Sequence, residues 1–271
     1  MPEQIKVAIA GLGAIGFAVA EALDSGTIEG MTLTAVSARD TARAEARLAA
    51  FRAPVPVLPL TDLAETADVV VECIPASNFA ELAESVLGRG RTLLPLSVGA
   101  LLARPELIDL AQAKGGTIVV PTGALLGLDA LRACAEGPVD SVTLVTRKPP
   151  GGLAGAPHLV DNGISVEGLT EPKLVFEGTA RDGARGFPAN VNVAAALSLA
   201  GIGPDETALQ IWADPTVTRN THTVTVEADA ARLTMTIENV PTEENPRTGK
   251  ITALSVLATL RRMTGPLRVG T

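Results

Sequence analysis

Two patterns of apolar and polar positions divide the chain. In the first half, continuously apolar runs alternate with segments of helical periodicity. The apolar runs are residues 5–10, 31–37, 68–73, 92–97 and 117–121, and the helical segments are 15–23, 42–51, 80–87 and 106–114. Runs that are apolar throughout are typical of parallel strands with both faces covered. This half therefore predicts an α/β fold, a doubly wound parallel sheet of the Rossmann type.

The second half alternates apolar and polar positions. Its candidate strands are residues 141–146, 173–179, 207–213, 221–227 and 231–238, and its candidate helices are 189–200 and 251–263. Alternation indicates a sheet with one covered face and one wetter face, which favours antiparallel pairing. We expect a dinucleotide-binding domain over residues 1–124 and an α+β domain on a mostly antiparallel sheet over 125–245. The segment 246–271 is expected to form a C-terminal helix that could pack back on the first domain.

Composition narrows the class of partner. The net charge is −8 and aromatic residues make up 2% of the 271 residues, which argues against nucleic acid, since such partners need a basic face or stacking platforms. The longest uncharged stretch, 188–204, is too short and too polar to span a bilayer, and the N-terminus lacks the pattern of a secretory signal. We expect a cytoplasmic protein without a membrane partner.

The residues that could carry metal or acid–base chemistry are few. Cys73 and Cys134 lie far apart without CxxC spacing, so buried structural thiols are expected and no metal site. The chain has no Tyr and two His, which leaves His158 and His222 for any imidazole chemistry.

A glycine fingerprint, GLGAIG, follows the first apolar run and opens a helical segment. Gly11 permits a tight turn, Gly13 lets the backbone approach a pyrophosphate, and Gly16 lets helix and strand pack closely. The amides of Ala14 and Ile15 at the helix N-terminus would face the phosphates. The context of strand, turn and helix predicts a dinucleotide site rather than a purely structural turn.

The end of the second predicted strand bears on cofactor choice. NAD-specific enzymes place an acid there to bind the ribose hydroxyl, but this sequence has Ser37, with Arg39 two residues later and Asp40 beside it. Serine removes a carboxylate that would repel a 2′-phosphate, and arginine can pair with one. We therefore expect NADP to be accepted alongside NAD.

His222 lies at the start of a predicted strand, two and four residues before valines. Side chains two apart share a face of a strand, so His222 is expected on the covered side. A histidine there is more often a core residue than a catalyst. The nearby turn, however, also holds Asp214, Arg219 and Asn220, and loops on rigid sheets commonly carry sites. His158 is expected to be a loop residue.

Four motifs resemble those of the L-aspartate dehydrogenases, in order over nearly the full chain. They are PTGALLGLDAL at 121–131, FPANVNVAAAL at 187–197 with LAGIG at 199–203, ADP at 213–215 with RNTH at 219–222, and ENVP at 238–241 with NPRT at 245–248. The chain has Thr122 where the family pattern has serine, a change that keeps the hydroxyl.

The resemblance implies a homodimeric enzyme that uses NAD or NADP to oxidise L-aspartate to iminoaspartate, which hydrolyses to oxaloacetate and ammonia, or that runs the reverse amination. It further implies a step that feeds pyridine nucleotide biosynthesis, and a second domain for catalysis and dimerisation. His222 falls on the catalytic histidine, and Ala124 and Asn190 fall on cofactor contacts.

The chemistry of these positions agrees with the resemblance. Hydride transfer from Cα needs a neutral amine, and a histidine is suited to act as the general acid/base. Asp214 could orient His222 or contact the substrate, although a structural Asp-Pro turn explains it as well. Asn192 lies with Asn190 in the first turn of a predicted helix, where it could bind a substrate carboxylate. The substrate carboxylates need basic partners, for which Arg219, Arg247, Lys250 and Lys148 are candidates beside surface salt-bridge roles.

Other interpretations remain open at this stage. A homoserine dehydrogenase-like or dihydrodipicolinate reductase-like enzyme would share the architecture, as would a sugar dehydrogenase that uses Lys148. A non-catalytic NAD(P)-sensing protein would keep the first domain, but it would not need the polar residues around His222.

Overall fold

The computed structural model describes residues 4–188, 191–243 and 248–270. The chain divides into two compact units. The first comprises the chain up to Pro121 together with Thr252–Arg268, and the second comprises Thr122–Ile251 with the last residues from Val269.

The first unit is built on a parallel sheet with strand order β2-β1-β3-β4-β5. In chain order its elements are β1 (Ile5–Ala10), α1 (Ala14–Asp24), β2 (Met31–Ser37), α2 (Thr41–Leu48), α3 (Leu63–Thr66), β3 (Val69–Glu72), α4 (Phe79–Gly88), β4 (Thr92–Pro95), α5 (Val98–Leu102), α6 (Glu106–Lys114) and β5 (Thr117–Ile118). The predicted Rossmann-type sheet is confirmed.

The central strand explains why this sheet is apolar on both faces. In β1, Val7 and Ile9 belong to one buried cluster and Ala8 and Ala10 to another, and all four side chains are fully buried. Because successive side chains of a strand point to opposite faces, each face of the sheet is covered by its own core.

Two predicted strands end earlier than the sequence suggests. The run at 92–97 stops pairing at Pro95, because the amides of Leu96 and Ser97 bond the side chain of Glu72 at 3.0 and 2.8 Å. The run at 117–121 is in register with β4 at Thr117 and Ile118, and the amide of Val119 makes a further bond to the carbonyl of Leu93 at 2.9 Å. In both places the chain turns away where the carboxyl ends of the parallel strands meet.

The second unit holds a sheet with strand order β10-β9-β6-β8-β7. Its elements are α7 (Leu128–Cys134), β6 (Val139–Lys148), α8 (Pro157–Asp161), β7 (Lys173–Thr179), α9 (Ala180–Gly186), α10 (Asn192–Ala200), β8 (Thr207–Ala213), β9 (Asn220–Ala228), β10 (Arg232–Asn239) and the start of α11 (Lys250–Thr264). Every neighbouring pair is antiparallel except β6 with β8. The predicted α+β domain on a mostly antiparallel sheet is confirmed.

The buried face of this second sheet changes character along the strands. In β6, Val142 and Leu144 are fully buried, and they are followed on the same face by the buried polar residues Thr146 and Lys148. In β9 the same face carries Val226, Val224 and then His222, which is also buried. Polar groups buried at one end of an apolar core need partners. This end of the second sheet is therefore a candidate functional site.

His158 is not the loop residue that the sequence suggested. It lies in the short helix α8, and its ring centroid is 5.2 Å from that of Phe176 and 5.3 Å from that of Phe187. Proline at the first helical position allows the turn despite the surrounding glycines. His158 therefore packs in an aromatic cluster. Among the described residues, no helix combines the length and the apolar character needed to cross a membrane.

Candidate functional site

The glycine turn after β1 is dictated by close packing at two of its three fingerprint positions. Gly11 has φ +95°, and a Cβ there would lie 2.5 Å from the carbonyl oxygen of Cys73. A Cβ on Gly16 would lie 1.9 Å from the carbonyl oxygen of Gly11. Neither position accepts a side chain, which explains the tight turn and the close approach of α1 to the strands.

The third fingerprint position, Gly13, is different, because a Cβ there would meet no protein atom within 4 Å. Gly13 is exposed and is the N-cap residue of α1, where no side chain forms a capping hydrogen bond. Ala14 and Ile15 begin the helix behind it. Packing therefore does not require this glycine, whereas a phosphate group approaching the backbone and the helix N-terminus would. The turn fits a dinucleotide.

The residues expected to choose the cofactor lie directly beside this turn. The carbonyl of Ser37, the last residue of β2, accepts a 2.7 Å hydrogen bond from the amide of Gly11. Arg39 is exposed two residues later. Asp40, which could have opposed NADP, caps α2 by accepting a 3.0 Å bond from the amide of Arg43. An exposed arginine thus follows the strand that bonds the turn, whereas the carboxylate of Asp40 caps α2.

Glu72 is a residue that the sequence analysis passed over. It ends β3 and is fully buried. Its Oε1 accepts from the amide of Ile74 at 2.9 Å and from the hydroxyl of Ser97 at 3.0 Å, and its Oε2 accepts from the amides of Leu96 and Ser97. Burial raises the pKa of Glu72, and these hydrogen bonds oppose the increase. The carboxylate joins the two loops that follow β3 and β4.

In the second unit, His222 is held by a hydroxyl. His222 is 2% exposed, and its Nδ1 lies 3.0 Å from Oγ1 of Thr146. The two residues are directly opposed in the β6–β9 register, so the strand pairing itself fixes the contact. Burial, followed by the charge of Lys148, lowers the pKa of His222 from 6.5 to about 3. The imidazole is therefore neutral at physiological pH.

Lys148 is the second buried ionisable group on this face. It lies two residues beyond Thr146 in β6 and is 7% exposed. Burial lowers the pKa of Lys148 from 10.5 to about 8. Since its charge in turn lowers the pKa of His222, the two groups are electrostatically coupled. A cation held in such surroundings favours an anionic ligand.

Asp214 does not orient the imidazole, because its carboxylate has other partners. Oδ1 accepts from the amide and the hydroxyl of Thr216 at 2.9 and 2.6 Å, and Oδ2 accepts from Arg147 at 3.0 Å. Burial opposes ionisation of Asp214, but these hydrogen bonds outweigh it and lower the pKa of the carboxyl. Thr146 therefore has the role that the sequence analysis offered to Asp214, which instead shapes the turn after β8.

A shallow, partly open cleft lies at the same end of the second sheet. Arg219, which is exposed, is part of its wall. The residues that line it are Pro149, Thr218, Arg219, Asn220, Asn239, Pro241 and Gly249. The cleft thus lies where β6 ends, β9 begins and β10 ends.

Other candidate residues lie around this region or outside the described residues. The carbonyl of Ala124, which is half-buried, accepts a 3.0 Å bond from Nδ2 of Asn239. Asn192 is exposed as the first residue of α10. Nζ of Lys250 lies 3.6 Å from Oε1 of Glu243. Asn190 and Arg247 lie outside the described residues. In the part of the chain that the structure describes, no group of three or more His, Cys, Asp or Glu side chains could hold a metal ion.

Comparison with known proteins now separates the possible chemistries. The model of a family described as "Aspartate dehydrogenase, C-terminal" matches residues 129–263. Another, described as "Homoserine dehydrogenase, NAD binding domain", matches residues 11–121, which contain the glycine turn and Glu72.

Curated relatives match along nearly the whole chain. An L-aspartate dehydrogenase of Bradyrhizobium diazoefficiens is 57% identical over 99% of this chain and 95% of its own length. One of Bordetella bronchiseptica is 56% identical over 99% of this chain and 98% of its own, and one of Methanocella arvoryzae is 43% identical over 98% and 99%. The chain belongs to the L-aspartate dehydrogenase family. The family resemblance expected from the four sequence motifs is confirmed.

Solved structures agree on the fold. The crystal structure of an aspartate dehydrogenase from Thermotoga maritima superposes with a TM-score of 0.73, at 23% identity, over 98% of this chain and 100% of that chain. A homoserine dehydrogenase from Thiobacillus denitrificans gives a TM-score of 0.60 at 14% identity, over 97% and 74%. Family membership therefore does not favour the homoserine dehydrogenase-like and reductase-like alternatives.

Proposed function

We propose that this chain catalyses the NAD(P)-dependent oxidation of L-aspartate to iminoaspartate, or the reverse reductive amination. The observation that carries the proposal is the buried cluster of His222, Thr146 and Lys148, in a chain of the L-aspartate dehydrogenase family. The neutral imidazole of His222 can take a proton from a substrate amino group. The buried cation of Lys148 can bind a substrate carboxylate.

The first unit holds the cofactor through backbone groups. The Gly11–Gly13 turn and the α1 N-terminus, with Ala14 and Ile15, receive the pyrophosphate, and Gly16 allows the helix to approach. The nicotinamide, when bound, supplies the hydride acceptor.

Further contacts decide which cofactor binds and how its ring is held. The guanidinium of Arg39, close in sequence to Ser37, pairs with a 2′-phosphate, so NADP is used as well as NAD. The family resemblance further implies Ala124 and Asn190 as cofactor contacts.

His222 acts as the general base in the oxidation. Its Nδ1 faces the Thr146 hydroxyl at 3.0 Å, and a hydroxyl accepts from Nδ1–H in the tautomer that leaves the lone pair on Nε2. Nε2 takes a proton from the substrate ammonium, so that the amine lone pair can assist departure of the hydride from Cα. Burial, the larger cause of the low pKa of His222, persists when ligand binds, but a dicarboxylate bound near Lys148 offsets that positive charge and so raises the pKa of His222.

The substrate carboxylates bind to local positive charge in a chain whose net charge is −8. Lys148 is buried beside His222, and Arg219 lines the cleft at the same end of the sheet. Asn192 at the start of α10 is a further polar candidate. Two cations at this end match the two carboxylates of aspartate.

The wider setting follows from the reaction. Iminoaspartate hydrolyses to oxaloacetate and ammonia, or it is consumed in pyridine nucleotide biosynthesis. We propose a homodimer that works in the cytoplasm on a small dicarboxylate, without a nucleic acid or membrane partner.

A substrate panel tests the proposal. L-aspartate, L-glutamate, L-homoserine and L-malate are each incubated with NAD and with NADP, and the absorbance of the reduced cofactor is followed. We expect L-aspartate to give the highest kcat/KM by at least about tenfold. Reduction with homoserine or malate and not with aspartate overturns the substrate assignment, and silence across the panel favours a sensing protein.

A further inference from the structure

Asn239 combines burial with an unused hydrogen-bond acceptor. It is the last residue of β10, lies opposite Asn220 in the β9–β10 register, and is 5% exposed. Its Oδ1 is buried, and no described residue donates to it. Since a buried amide oxygen without a donor is unfavourable, this atom needs an explanation outside the protein's own contacts.

The orientation of this amide is fixed by its other end. Nδ2 donates a 3.0 Å hydrogen bond to the carbonyl oxygen of Ala124. Turning the amide over would place Oδ1 against that carbonyl, so that two acceptors would face each other. The oxygen is therefore held in the position without a donor.

Oδ1 lies in the wall of a cleft, close to the backbone of Gly249. Asn239 and Gly249 both line the cleft that also contains Arg219. A Cβ on Gly249 would lie 3.3 Å from Oδ1, so any side chain at that position would press on the oxygen. Asn239, Arg219 and Asn220 thus line one cleft, and Oδ1 of Asn239 is buried in its wall beside Gly249.

These groups select a ligand by complementarity. An acceptor such as Oδ1 needs a donor, and a carboxylate offers none, whereas the guanidinium of Arg219 pairs with carboxylates. An amino dicarboxylate carries its N–H donors on the amino group alone. We propose that Oδ1 of Asn239 accepts a hydrogen bond from the amino group of the substrate, and that Asn239 thereby distinguishes amino dicarboxylates from dicarboxylates without nitrogen. This inference rests on the proposed function and deepens it.

The test compares two ligands that differ in the amino group. KM for L-aspartate and the inhibition constant of succinate, which has both carboxylates and no nitrogen, are measured for the wild type, Asn239→Leu and Asn239→Ser. Both variants are expected to raise KM for L-aspartate by about tenfold or more, because a hydrogen bond to a charged or polar donor is lost. The succinate constant stays within about twofold, and KM for the cofactor rises less than KM for L-aspartate, since Nδ2 of Asn239 also holds the carbonyl of Ala124.

A matched variant controls for disturbance of the strand. Thr236→Val changes the exposed face of the same strand, where Thr236 Oγ1 lies 3.0 Å from Thr223 Oγ1, and it is expected to leave all three constants within about twofold. An equal loss of L-aspartate and succinate binding in the Asn239 variants overturns the inference, since the role is then structural. A rise in KM for the cofactor with unchanged KM for L-aspartate also overturns it, because the donor is then on the cofactor.

Failure of the proposed function is separable from failure of this inference. If the wild type turns over no L-aspartate, calorimetric titration with L-aspartate and succinate replaces kinetics. Tighter binding of L-aspartate than succinate to the wild type, lost in Asn239→Ser, supports the inference without the reaction. Equal binding of the two ligands to the wild type overturns it.

Discussion

Oγ1 of Thr146 lies 3.0 Å from Nδ1 of His222, and the two residues face each other directly across the β6–β9 pair. The contact joins positions 76 residues apart, and both side chains are buried. A strand register is far more rigid than a loop, so the imidazole is oriented by the sheet itself.

Replacing Thr146 tests this orientation. Thr146→Val keeps the shape of the side chain and removes the hydroxyl, so Nδ1 of His222 loses the hydrogen-bond partner that orients the ring. We expect kcat for L-aspartate to fall by about tenfold to a hundredfold, with KM for the cofactor unchanged. Steady-state kinetics check the change, and Thr146→Ser, which restores a hydroxyl, is expected to recover most of kcat.

The control for Thr146 lies on the other face of the sheet. Thr223 lies in β9 next to His222, but its hydroxyl is 3.0 Å from that of Thr236 rather than near the imidazole. Thr223→Val is expected to leave kcat within about twofold. A similar fall in kcat for Thr223→Val and Thr146→Val would show that the effect is a general loss of sheet integrity.

Burial and the charge of Lys148 predict that His222 does not titrate near neutral pH. Burial and the charge of Lys148 lower the pKa of His222 to about 3, so the unfolded chain takes up a proton below about pH 6.5 that the folded chain does not. This group's contribution to the free energy of unfolding therefore falls as pH decreases from about 6.5 toward 3. By NMR, the His222 ring signal of the ligand-free protein is expected to stay constant between about pH 7 and pH 5, below the pKa of Lys148.

Lys148→Met tests the electrostatic part of this account. It removes the charge and keeps an unbranched buried side chain, so the pKa of His222 is expected to rise. The chain has two His, so His222→Ala assigns the signal by its disappearance. A titration midpoint near 6.5 in the ligand-free wild type is incompatible with the burial argument.

Glu72 predicts a stability effect in the first unit. In Glu72→Gln one acceptor oxygen becomes an NH₂ group that must face backbone N–H donors, whichever way the amide turns. We expect the free energy of unfolding to fall by about 1–3 kcal/mol and KM for the cofactor to rise. Chemical denaturation and kinetics measure these, with Glu81→Gln on the exposed surface of α4 as the matched control. Equal stability of the two variants contradicts a structural role for the carboxylate.

Arg39 predicts cofactor selectivity. Arg39→Ala is expected to raise KM for NADP by about tenfold and to leave KM for NAD within about twofold, because a 2′-phosphate loses its ionic partner. Arg43→Ala, an exposed arginine on α2, is the control. A wild-type preference for NAD of more than about a hundredfold in kcat/KM contradicts the use of NADP.

Local patterns were enough to predict most of the fold. The predicted limits of β2, β7 and β8 agree with the structure, because continuous apolar runs and strict alternation are properties of neighbouring residues. Short helices such as α7 and α9 were missed. They contain seven residues each, which is too few to show a helical period.

The residues of the candidate site were predictable only where a motif marked them. His222 and the glycine turn stood out in the sequence, whereas Thr146 became significant only through its register with His222. Glu72 could have been noticed as an acid at the end of an otherwise apolar strand. A carboxylate that is buried at such a position needs hydrogen-bond partners. Asn239 lay within a quoted motif, but its unused oxygen is visible only in three dimensions.

Turnover of L-aspartate by His222→Ala, measured alongside calorimetric binding of NADPH, decides whether His222 is the general base. As the general base, His222 moves the substrate proton and does not hold the cofactor. We therefore expect kcat to fall by at least about a hundredfold and NADPH affinity to stay within about twofold. Turnover that stays within about threefold of the wild type would contradict the assignment of His222 as the general base.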